Sequence, residues 1–75
     1  MDIRKSKTYQ SFKQVDDVIL KMSKEKNMIL SIETRWLCLD IAYHVLNEKH
    51  AYKSEKMAKY AKEALDVYKQ DISWG

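Results

Sequence analysis

None of the first 74 residues is glycine or proline; the single glycine is Gly75. Small strand-rich domains reverse direction through Gly, Pro and Asn-Gly turns. A chain lacking them has few ways to fold a strand back on its neighbour, so helices are expected before any periodicity is counted. Seventy-five residues fill one hydrophobic core and not two, so 1–75 reads as a single helical domain. A hydrophobic content of 45% with 33% charged residues belongs to a folded chain, not a disordered one.

Periodicity predicts three helices, at about 11–25, 31–49 and 54–71, packed as an all-α three-helix bundle with short turns. Residues 1–10 read as a flexible polar and basic arm. Ser11 and Gln14 match a capping box at the start of helix one. Behind them Phe12, Val15, Ile19 and Met22 form one narrow apolar stripe, widened by Val18. Met28, Ile29 and Leu30 read as a buried connection, and Ser31 as the N-cap of helix two with Glu33 in its first turn, an earlier start at Asn27 being the alternative. Helix three is capped at Ser54, or starts earlier near Ala51, and turns Met57, Ala61, Ala64 and Tyr68 inward. Its alanines let another helix backbone approach closely.

Helix two carries two apolar stripes. Ile32, Trp36, Leu39, Tyr43 and Leu46 repeat every four and three residues, like a coiled-coil seam. Leu37, Ile41 and Val45 form a second stripe, leaving only Glu33, Asp40, His44, Asn47 and Glu48 as a polar sector. A helix apolar over most of its circumference has to be covered on more than one side. Helices one and three cover both stripes in a complete monomer. Alternatively the second stripe is left for a second copy or a foreign helix, and the modest cover that helices one and three supply favours this arrangement.

Several function classes are disfavoured. Asp40, His44 and Glu48 follow one another at i, i+4, but no nucleophile shares their face, so they read as a solvated stripe and the chain as no enzyme. Cys38, His44 and His50 are six residues apart, not the i, i+4 that places two ligands on one helix face, and no metal or other cofactor is implied. One cysteine permits no internal disulfide and suits a reducing cytoplasm. The longest apolar run is Trp36 to Leu39, far short of the ~20 residues a membrane span needs.

The net charge of +3 resides entirely in residues 1–13, where Arg4, Lys5, Lys7 and Lys13 face Asp2 alone. That cluster supports a nucleic-acid-binding alternative, with phosphate contacts made by the arm. Arg4 and Arg35 are the only arginines in a lysine-rich chain, which reads as the bias of an AT-rich genome. The leading expectation is a small non-enzymatic interaction protein, a regulator, inhibitor or adaptor. It binds a protein partner, or itself as a homodimer, through Leu37, Ile41 and Val45, with Trp74 as an aromatic contact near the chain end. Tyr9 and Tyr52 are further aromatic residues near element ends.

Overall fold

The computed structural model describes residues 2–50 and 54–74, with side chains described at all of these except 49 and 50. A single 3-10 turn, Ile3–Lys5, leads into three α-helices: α1 (Lys7–Glu25), α2 (Ile32–His50) and α3 (Glu55–Trp74). Each helix packs against the other two, and the 3-10 turn packs on α1 and α3. The chain is therefore a three-helix bundle, with no strand among the described residues. No helix is long and apolar enough, among those residues, to cross a membrane. The possible α3 start near Ala51 and the aromatic Tyr52 lie outside the described residues, as does the His50 side chain.

Ser31 and Ser54 cap their helices as expected, accepting from the backbone N–H of Thr34 and of Met57, both at 3.2 Å. The start of α1 corrects the sequence expectation. Ser6, not Ser11, is its N-cap: the buried Ser6 hydroxyl accepts from the Tyr9 N–H at 3.1 Å and donates to the Ile3 carbonyl at 2.6 Å. Ser11 sits one turn inside the helix and donates to the Lys7 carbonyl at 2.9 Å. The stretch read as a flexible arm is wound into the turn and the first helical residues because Ile3 and Tyr9 pack on the core.

At the other end of α1, Asn27 takes a left-handed conformation with φ of 53°. The Met28 N–H reaches the Ser23 carbonyl at 2.9 Å and the Asn27 N–H reaches that of Lys24 at 3.2 Å. This pair of bonds is a Schellman ending, with asparagine at the position glycine usually holds. Asn27→Ala should therefore cost about 1 kcal/mol, since a Cβ without a local hydrogen-bonding side chain disfavours this conformation. Asn27→Gly should be neutral or stabilising, as thermal unfolding of the two variants would show.

Phe12, Leu39, Ala64 and Leu65 are wholly buried and form the core with Tyr9 and Tyr68. Ala61 and Ala64 sit where bulkier side chains would hold the helices apart. Two ends of the predicted stripes depart from expectation: Met22 and Met57 are half-exposed. Met28 and Ile29, read as a buried connection, are exposed instead, Ile29 completely. The hydrogen-bonded turn after α1 holds them out from the core.

The core is small for the chain it organises. The radius of gyration is 12.7 Å, against about 11 Å for a compact domain of this length. The accessible surface is 5867 Å² for 8.9 kDa, about 1,000 Å² more than the ~4,800 Å² of a typical folded monomer of that mass.

Candidate functional site

The outward face of α2 carries a regular row of apolar side chains left uncovered among the described residues. Leu37, Ile41 and Val45 are spaced i, i+4, i+8 and are 60%, 55% and 44% exposed. Leu39, two residues after Leu37 and on the opposite side of the helix, is 0% exposed. The two stripes read in the sequence therefore separate: the seam through Leu39 faces α1 and α3, and the second stripe faces solvent. Glu33, Thr34, His44 and Glu48 are exposed around it. The fourth predicted contact, Trp74, ends α3 and is 90% exposed.

What holds this face outward is a polar network buried beneath the opposite face. Asp16 lies on the inward side of α1, four residues after Phe12, and is 1% exposed. Arg35 of α2 clamps its carboxylate with two hydrogen bonds, Nε to Oδ1 at 3.0 Å and the terminal nitrogen to Oδ2. Tyr68 of α3 donates its hydroxyl to the same carboxylate at 2.6 Å. One side chain from each helix thus meets at Asp16, which fixes the rotation of α2 about its own axis. Reversing that rotation would leave a carboxylate unpaired in the core, a cost of several kcal/mol.

A second copy of this arrangement joins the ends of the chain. Arg4 donates Nε and a terminal nitrogen to Asp71 at 2.9 and 3.0 Å, and Tyr9 donates its hydroxyl to Asp71 at 2.6 Å. The Tyr9 and Tyr68 rings meet edge to face with centroids 5.3 Å apart, linking the two triads through the core. Both arginines of the chain are therefore bidentate clamps on aspartate, a geometry lysine does not reproduce. Periodicity counts only apolar residues and passes over Asp16. Its place in the stripe of α1, together with the scarcity of arginine, is the signal in the sequence.

The network predicts how stability follows pH. Burial would lift the Asp16 carboxyl, but the Arg35 and Tyr68 hydrogen bonds outweigh it and hold Asp16 below the usual carboxylate range. Arg4 and then Tyr9 do the same for Asp71. Depressed carboxyls contribute stability above the unfolded value near pH 4, and that contribution is lost as pH falls through the folded values. Burial, reinforced by Asp71, pushes Tyr9 up to about 12, and burial with Asp16 raises Tyr68 as well. Raised phenols contribute fully below about pH 10 and lose that contribution as pH rises beyond it, by about 1.4 kcal/mol per pH unit for each tyrosine. Unfolding free energy measured across pH should fall at both ends, and Tyr68→Phe should flatten the alkaline fall.

The other predicted residues are placed as follows. Asp40 accepts from Lys69 of α3 at 2.6 Å, while His44 and Glu48 are exposed, so the Asp40, His44 and Glu48 series is not assembled into a pocket. The His44 ring instead lies edge to face against Tyr43 at 5.6 Å. Cys38 is half-buried. Of the basic cluster, Lys5, Lys7 and Lys13 are exposed, but the Arg4 guanidinium is engaged by Asp71. No family model, curated protein or solved structure matches the chain.

Proposed function

We propose that this chain is a small, non-enzymatic cytoplasmic interaction protein that regulates, inhibits or adapts by laying the outward face of α2 against a protein surface. Leu37, Ile41 and Val45 are the centre of that contact, and Trp74 is a second anchor. The observation that carries this reading is the half-exposure of three aliphatic side chains at i, i+4 spacing on a helix whose opposite face is locked in the core. That spacing is how a helix presents anchors to a helical or grooved partner.

The test is affinity capture from the source cells with the wild-type chain and with Leu37→Glu/Ile41→Glu, alongside sedimentation at several concentrations. A partner, foreign or a second copy, should associate with the wild type and be lost from the folded variant. Identical association by both forms would remove the stripe from the function.

A further inference from the structure

Resting on the reading of the α2 outward face as a docking surface, we infer that its occupant is a second copy of this chain, laid antiparallel across a two-fold axis at Ile41. The row that carries the face extends beyond its aliphatic centre. Glu33 precedes Leu37 by four residues and Lys49 follows Val45 by four, all within α2. Glu33, Leu37, Ile41 and Val45 are exposed, and the helical register sets position 49 at the far end of the same row. An acid, three aliphatic residues and a base thus follow one another at i+4 over about 24 Å of helix.

That order is its own complement when read backwards. A two-fold contact imposes this condition, because every contact made between two different positions is repeated with the copies exchanged. An antiparallel pairing centred on Ile41 sets Ile41 against itself, Leu37 against Val45 and Glu33 against Lys49, the last two pairs each occurring twice. A foreign partner imposes no such condition on the row. The i+4 rows of two helices lie side by side when the axes cross at about 50°, the commonest helix packing.

Other arrangements lose these matches. Moving the centre to position 39 or 43 sets an aliphatic side chain against Glu33 or Lys49. A parallel pairing sets Glu33 against Glu33 and Lys49 against Lys49, and like charges facing one another select against that geometry. The remaining charges of α2 lie off the row. Arg35 is turned inward to Asp16 and Asp40 is paired with Lys69. Exposed Glu48 lies about 100° around the helix from position 49, on the flank that holds His44, and position 50 falls on the opposite side. Each monomer keeps its own core, so the association is reversible, and three aliphatic side chains per copy make it a small, weak interface.

Sedimentation equilibrium of the whole chain, from micromolar to millimolar concentration, should show monomer passing to dimer and no further, because a two-fold contact closes on itself. Glu33→Lys and Lys49→Glu should each weaken dimerisation about ten-fold, since either change turns both end contacts from attractive to repulsive. An equimolar mixture of the two variants should regain the wild-type strength, because the mixed pair restores both contacts. With Cys38 replaced by serine, Ile41→Cys should form a disulfide-linked dimer in air, since position 41 meets itself. Leu37→Cys in the same background should not.

A wild type that stays monomeric throughout, while capture from the source cells is still lost from Leu37→Glu/Ile41→Glu, would overturn the second copy and leave the docking surface standing. Dimerisation abolished by Leu37→Glu/Ile41→Glu but indifferent to both charge variants would overturn the antiparallel pairing. Association that survives Leu37→Glu/Ile41→Glu, or the absence of both association and capture, would overturn both readings.

Discussion

Asp16→Ala is expected to cost about 3–5 kcal/mol of folding stability, the range for removing one partner of a buried ion pair. That is a large fraction of the roughly 4–11 kcal/mol that a domain of 75 residues possesses. The carboxylate receives two bonds from Arg35 and one from Tyr68 at a position that is 1% exposed. Its loss leaves a guanidinium without a counter-charge and a phenol without an acceptor, both at the junction of three helices. Arg35 keeps 20% side-chain exposure, so some of its charge is relieved by water. A urea titration followed by circular dichroism reads the effect directly. Asp16→Leu/Arg35→Met should recover much of the loss, because an apolar pair removes both charges together. A single-variant loss below about 1 kcal/mol would mean that the triad does not hold the helices.

The second large effect is at Leu39. It is 0% exposed within the core of Tyr9, Phe12, Ala64, Leu65 and Tyr68, so Leu39→Ala should cost about 2–5 kcal/mol through lost burial and the cavity left behind. Leu37→Ala removes the same atoms from the same helix two residues earlier. At 60% exposure it should cost about 1 kcal/mol or less. Comparable losses at the two positions would mean that α2 is buried on both sides. The pair therefore measures how strongly the helix is divided.

The same division explains what was legible in the sequence. Missing glycine and proline, the capping serines Ser31 and Ser54 and the alanines of α3 are local signals, and local physics decides helix type and ends. The two stripes of α2 were legible for the same reason. That the seam through Leu39 is the covered one was legible too; whether helices one and three also cover the second stripe was not, because periodicity measures apolarity and not the amount of partner surface available. The start of α1 was misplaced because Ser11 with Gln14 imitates a cap, whereas Ser6 becomes one through packing of Ile3 and Tyr9. Asp16 is the clearest case of information that is not local. A carboxylate in an apolar stripe looks like an interruption until Arg35, 19 residues away, and Tyr68, 52 residues away, are brought to it. The exposure of Ile29 likewise follows from the Schellman ending at Asn27, a backbone geometry that apolar patterning does not encode.

The outward face of α2 as a binding surface, and not unfinished core, is tested most directly by the unfolding free energy of Leu37→Glu/Ile41→Glu. Two charges placed on a solvent-facing stripe should leave helicity unchanged and stability within about 1 kcal/mol of the wild type, as for ordinary surface substitutions. A loss of several kcal/mol, or collapse of the helical signal, would put Leu37 and Ile41 in the core and contradict the docking account.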